Sequence, residues 1–142
     1  MMKKIILAIM IITGILNAGC GSSQYAQVPR AERASVVKIS AEEAKARLDL
    51  EGDKITIVDV RTPAEYNEAH IEKAILLPVD TIGENASSVI PDLEAVCFVY
   101  CRTGSRSAAS SAQLVQMGYR NIYDLGGIKD WPYGTVSGNN VN

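Results

Sequence analysis

The residues best suited to chemistry in this chain are Cys101, Arg102, Gly104 and Arg106. They lie in the run Val99-Tyr100-Cys101-Arg102-Thr103-Gly104-Ser105-Arg106-Ser107. Ahead of them, Ala95 to Tyr100 is apolar, β-branched and aromatic, the pattern of a buried strand. Behind them, Ser107 to Met117 is rich in Ala, Ser, Gln and Leu and stops at Gly118, the pattern of a helix with a glycine terminator. The spacing therefore puts Cys101 where a strand ends and a short loop leads into a helix. Backbone N–H groups of such a loop can turn inward around the sulfur, and the helix N-terminus adds partial positive charge. Arg102 and Arg106 add full charges. Each of these favours the thiolate and lowers the thiol pKa from its reference of roughly 8.5. Burial as an inert thiol is a common fate for cysteine. Against it stand Gly104, which permits a tight turn, and two arginines that would be costly to bury beside a core thiol. Cys101 reads as a nucleophile at the base of an anion cradle.

The run Cys101-Arg102-Thr103-Gly104-Ser105-Arg106 resembles the active-site loop of rhodanese-type sulfurtransferases. The resemblance spans about Val36 to Trp131. It is carried in order by Asp59-Val60-Arg61, Glu65-Tyr66, Ala69-His70-Ile71, Ala74, Pro78, Gly118-Tyr119, Leu125-Gly126-Gly127-Ile128 and Trp131. It implies a rhodanese-like fold, a Cys101 persulfide, and a loop from Arg102 through Thr103, Gly104 and Ser105 to Arg106 that binds substrate and persulfide. In the family the acid of the Asp59-Val60-Arg61 motif commonly supports the loop. The histidine of its Gly-His-Ile motif is mainly structural, and Ala69 stands here in place of that glycine.

The elements that must position this loop follow from periodicity and capping. Val36 to Ile39 is a short strand, and Ser40 with Glu43 forms a capping box for a helix that Gly52 ends. Ile55 to Asp59 is apolar at nearly every position, as a strand buried on both faces of a parallel sheet is. Thr62-Pro63-Ala64-Glu65 repeats the capping logic for a short helix to about Glu68. Ala74 to Leu77 is a third strand, Asp80 to Pro91 a helix or turn, and Asn121 to Tyr123 a fifth strand. Gly126-Gly127 turns into a last short helix holding Trp131. Strands alternating with helices predict an α/β fold, a parallel central sheet of about five strands flanked by helices on both faces. Ligands of such sheets bind at the carboxyl ends of the strands, where both Asp59-Val60-Arg61 and Cys101 fall.

Met1 to Gly19 reads as a signal peptide, with Lys3 and Lys4 ahead of an apolar stretch from Ile5 too short for a membrane span of ~20 residues. Leu16-Asn17-Ala18-Gly19-Cys20 resembles a bacterial lipoprotein signal, which implies lipidation at Cys20 and attachment to a membrane of the cell envelope or periplasm. Asn17 departs from the aliphatic residue usual there. Ordinary cleavage near Ala18 or Gly19, giving a secreted soluble protein, is the alternative. Residues 20–35 are polar and read as a flexible tether, 36–135 as the folded domain and 136–142 as a disordered tail. The 142 residues carry 14 basic and 16 acidic side chains, so no nucleic-acid footprint is present.

Asp59 and Arg61 read as an ion pair tying a strand end to the loop, with a substrate role for Arg61 left open. His70, the only histidine, reads as structural in preference to a general base, because an amide-stabilised thiolate needs none. Cys97 lies four residues before Cys101, ~13 Å along a strand and beyond disulfide reach, so it is a core residue. One histidine and scattered cysteines make no metal set, and no cofactor is expected. The expected activity is sulfur transfer from a small anionic donor, thiosulfate or a persulfide, to cyanide or a thiol. A sulfur carrier or partner-binding domain without turnover is one alternative. Phosphatase or arsenate-reductase chemistry is another, although Arg106 falls one residue too early for a phosphate-wrapping loop.

Overall fold

The computed structural model describes residues 34–138. The expected signal peptide, Cys20, most of the tether and the last four residues lie outside the described residues. The strands are β1 (Val37–Lys38), β2 (Ile55–Asp59), β3 (Ile75–Leu76), β4 (Val96–Cys101) and β5 (Asn121–Gly127). The helices are α1 (Ala41–Glu51), α2 (Pro63–Glu68), α3 (Ile82–Val89) and α4 (Ser105–Gln116). All strand pairs are parallel, in the order β1-β5-β4-β2-β3, so β4 is central.

Side chains of β4 alternate between two buried faces. Cys97, Val99 and Cys101 join Ile82 and Ala86 of α3 and Leu114 of α4, while Phe98 and Tyr100 join Ala44 of α1 and Tyr66 of α2. Helices therefore cover both faces, which is why β2 and β4 are apolar almost throughout. Ser40 caps α1 through the Glu43 N–H, and Thr62 with Glu65 forms the full capping box of α2.

Several boundaries differ from those expected. β4 runs to Cys101 itself, and α4 begins at Ser105 rather than Ser107. Gly104 explains the early start: at φ 104° it takes a left-handed turn open to glycine and leads straight into the helix. β5 continues past Tyr123 because it must pair with the end of β4; a bulge shifts the register between Val99 and Tyr100, so that Tyr100 faces Gly126 and Cys101 faces Gly127. The expected Gly-Gly turn is thus strand, and Trp131 follows a 3-10 turn (Ile128–Asp130) instead of lying in a helix. Asp80 to Pro91 resolves into a 3-10 turn (Val79–Thr81) and α3. Val136 and Gly138 are tied down at the start of what was expected to be a disordered tail. His70 and Val136 exchange backbone hydrogen bonds of 2.8 and 2.9 Å, and the Gly138 N–H donates to Asn67 O at 2.9 Å.

The end of β5 presses on the Cys101 loop. A Cβ at residue 127 would stand 2.6 Å from Arg102 O and 2.9 Å from Thr103 Cα, both backbone atoms that cannot swing aside. Gly127→Ala is therefore expected to lower stability by about 1–3 kcal/mol. Thermal melting should register that as a Tm drop of roughly 4–8 °C per kcal/mol.

Candidate active site

The Cys101 sulfur sits at the end of the central strand, 1 % exposed, and accepts a hydrogen bond from the Gly104 N–H at 3.0 Å. Gly104 is the N-cap of α4 and has no side chain to cap it. The first N–H groups of an α-helix have no partner within it. Here the sulfur stands where a capping oxygen would. Burial, the largest single influence, pushes the thiol up, but the N–H groups of Ser107, Gly104 and Thr103 and the Ser107 hydroxyl together outweigh it. The net shift is downward, toward the thiolate. Cys97, on the same strand face, has no such donors, and burial with nearby Asp92 pushes its thiol up to about 12.

Arg106 does not face the solvent as a free charge. Its guanidinium forms a two-pronged pair with Glu65, Nη1 to Oε2 and Nη2 to Oε1, each 2.8 Å. The same Glu65 carboxylate accepts from the Thr62 N–H and hydroxyl at 3.0 Å, closing the capping box of α2. Sequence reasoning assigned Arg106 to the substrate and Glu65 to capping alone. The structure joins them into a clamp between the starts of α2 and α4, and Arg106 spends its donors there. Arg102 is exposed and remains open. With buried Arg61 and exposed Lys129 it lines a hollow of about 280 Å³ whose acidic residues are Glu65 and Glu68. A larger hollow of about 620 Å³ lies between α1 and the segment Trp131–Val136 and includes no residue of the loop.

Beneath the loop, Asp59 is fully buried. Its Oδ1 accepts from the Arg61 N–H and Nε at 2.9 Å, and its Oδ2 from Arg61 Nη2 at 2.6 Å and the Tyr100 hydroxyl at 2.7 Å. Arg61 Nη2 also donates to Ala69 O at 2.6 Å, and the Tyr100 oxygen accepts from the Ile71 N–H at 3.1 Å. Burial pushes the Arg61 pKa down, but the hydrogen bond and charge of Asp59 more than offset it and hold the guanidinium charged. Burial beside Asp59 likewise keeps the Tyr100 hydroxyl protonated. This network fixes the residue immediately before Cys101. His70 is fully buried, stacked on Tyr66 at 3.8 Å, with Nδ1 2.8 Å from Tyr66 O, so Nδ1 carries the proton. Its hydrogen bonds run to Tyr66 and Val136, away from the sulfur.

The structure adds residues that the sequence did not single out. Ser107, in the first turn of α4, has its hydroxyl 2.6 Å from Oδ1 of Asp124, a fully buried carboxylate of β5. Lys129 joins the cationic rim through the fold of the 3-10 turn after β5. Asp124 falls just past the run expected as a strand, Asn121 to Tyr123, and neither it nor Lys129 gave a local signal.

The Rhodanese-like domain family matches residues 40–132. A thiosulfate sulfurtransferase, PspE, of Escherichia coli (strain K12) is 33 % identical over 81 residues, 57 % of this chain and 78 % of its own length. A sulfurtransferase of Allochromatium vinosum is 37 % identical over 97 residues, 68 % of this chain and 88 % of its own. Among solved structures, a rhodanese with anions from E. coli superposes with a TM-score of 0.56 at 32 % identity, covering 59 % of this chain and 99 % of that one.

The clamp has a pH signature. The Arg106 guanidinium holds the Glu65 carboxyl well below the usual carboxylate range, against the opposing pull of burial. A depressed pKa contributes stability that is full above the unfolded value of roughly 4.3 and is lost as pH falls below it. Glu65→Gln is expected to cost about 1 kcal/mol at neutral pH, since the pair is part-exposed. It should also remove part of the acid-limb loss below about pH 4, as urea unfolding across pH would show.

Proposed function

The chain belongs to the rhodanese-like domain family, and from that membership and the Cys101 loop we propose that it moves sulfane sulfur from a small anionic donor to a thiophilic acceptor through a Cys101 persulfide. The observation that carries this reading is the donation of α4 N-terminal amides to a buried sulfur, 3.0 Å from Gly104 N. The thiolate attacks the outer sulfur of thiosulfate. A new S–S bond forms at Cys101, the donor's S–S bond breaks, and sulfite leaves with the electron pair. The persulfide keeps one negative charge, which the amides meet as an oxyanion hole would. Cyanide or a thiolate then attacks the outer sulfur, and Cys101 departs as thiolate. Arg102 and Lys129, exposed at the rim of the neighbouring hollow, attract an anionic donor. Phosphate-ester chemistry has less support, because the loop arginine Arg106 falls one residue too early to wrap a phosphate and is held by Glu65.

The signal-peptide reading of residues 1–19 goes with this proposal. Lipidation at Cys20 would attach the domain to a membrane of the cell envelope, through the tether, beside small sulfur compounds of that compartment.

The proposal is tested by intact mass after incubation with thiosulfate. A gain of one sulfur that cyanide removes, absent in Cys101→Ser, is expected. No gain with thiosulfate or with a persulfide donor would overturn it. Reversing the rim charge with Lys129→Glu should raise KM for thiosulfate about 3- to 10-fold with little change in kcat, an effect that shrinks with added salt.

A further inference from the structure

The hollow of about 280 Å³ beside the Cys101 loop carries free charges of both signs, and an anionic donor accounts for only one of them. Arg102, the residue after Cys101, lines it together with Lys129, whose backbone N–H donates to Arg102 O at 3.4 Å. The α2 side contributes Glu65 and Glu68. Glu65 is clamped to Arg106 of the loop, so its charge is spent. Arg61 is likewise held by Asp59 and Ala69 O. That leaves Arg102, Lys129 and Glu68. All three are exposed, and none joins an ion pair among the described residues. Glu68 is the last residue of α2, where the helix carbonyls disfavour a carboxylate. Toward a small anion its charge is a hindrance. Toward a ligand that also carries an ammonium it is a partner. Ile128 and Thr135 add an apolar surface and a hydroxyl to the lining. The volume equals that of about nine waters of liquid, enough for a molecule the size of an amino acid.

We propose that this hollow is the subsite of the sulfur acceptor and that it selects thiols of the α-amino acid class, Arg102 and Lys129 meeting the carboxylate and Glu68 the ammonium. The inference rests on the sulfur-transfer reading and names the acceptor that reading leaves open. The acceptor thiol gives its proton to solvent, and its thiolate attacks the outer sulfur of the Cys101 persulfide. A new S–S bond forms to the acceptor, the bond to Cys101 Sγ breaks, and Cys101 keeps the electron pair as a thiolate. The product is the persulfide anion of the acceptor. Two anions must meet in this step, and the cationic side of the hollow offsets their repulsion. In such a two-step exchange the donor has left before the acceptor arrives, so both can use Arg102 and Lys129 in turn. Glu68 then separates the two roles, because only the acceptor carries a group that pairs with it.

The full chain is loaded with thiosulfate, and loss of the added sulfur is followed by intact mass. The acceptors are L-cysteine, cysteamine, which lacks the carboxylate, and 3-mercaptopropionate, which lacks the ammonium. Each thiol has its own reactivity, so the readout is how their rate ratios change between wild type and variant. Glu68→Gln should lower the ratio of L-cysteine to 3-mercaptopropionate about 3- to 5-fold, the worth of one exposed ion pair. Lys129→Gln should raise cysteamine relative to L-cysteine by a similar factor. Wild type should also distinguish D- from L-cysteine, which share charge and reactivity and which a diffuse field cannot tell apart. An unchanged ratio in Glu68→Gln overturns the proposal, and so do equal rates for the two enantiomers. If no donor loads Cys101, the sulfur-transfer reading falls and takes this inference with it. Loading followed by unselective unloading removes this inference alone.

Discussion

The contact on which the rest of the structure depends is that between the Cys101 sulfur and the uncapped start of α4. A helix N-terminus presents N–H groups that some acceptor must meet, and the usual acceptor is an N-cap side chain. Gly104 supplies none. The sulfur fills the role, and it fills it better as an anion than as a thiol. One arrangement therefore completes the helix and activates the nucleophile. It works only if the strand end and the helix start stay within hydrogen-bond distance, which explains how the surrounding residues are used.

Each neighbour of the loop is fixed by a different physical device. The Asp59–Arg61–Tyr100 network anchors the end of β4 from below, and it is buried so completely that losing one member would leave an unpaired charge or hydroxyl. The Glu65–Arg106 clamp ties the starts of α2 and α4. On the third side no side chain intervenes: Gly127 lets the backbone of β5 lie against Arg102 and Thr103. Charges that look like substrate handles in one dimension are thus largely consumed in positioning. What stays open to a ligand is the rim of Arg102 and Lys129.

Much of this was legible in the sequence. The alternation of apolar runs with capped helices specified a parallel sheet, and β2 and α2 fall at their expected bounds because burial on both faces and a capping box are strong local signals. Cys101 at a strand end before a helix was legible for the same reason. Local patterns failed where distant backbone decides. β5 outruns its apolar run because β4 continues to Cys101 and needs a partner there. Val136 is ordered because His70 offers it a backbone pair, which no composition rule foresees. The clamp between Glu65 and Arg106 spans 41 positions of chain, and the capping role of Glu65 gave no hint of a second partner. Asp124 was hidden in the same way, because its partners on α4 and β1 meet it only in the folded sheet.

The account turns on backbone amides holding the Cys101 pKa below that of a free thiol, and the most direct measurement is its thiolate titration. The ultraviolet thiolate absorbance of the wild-type protein is followed against pH, with Cys101→Ser subtracted to remove Cys97, Cys20 and the tyrosines. The account predicts a midpoint clearly below the free-cysteine value of roughly 8.5. A midpoint at or above that value would mean that burial defeats the amides, and Cys101 would then be a core thiol like Cys97.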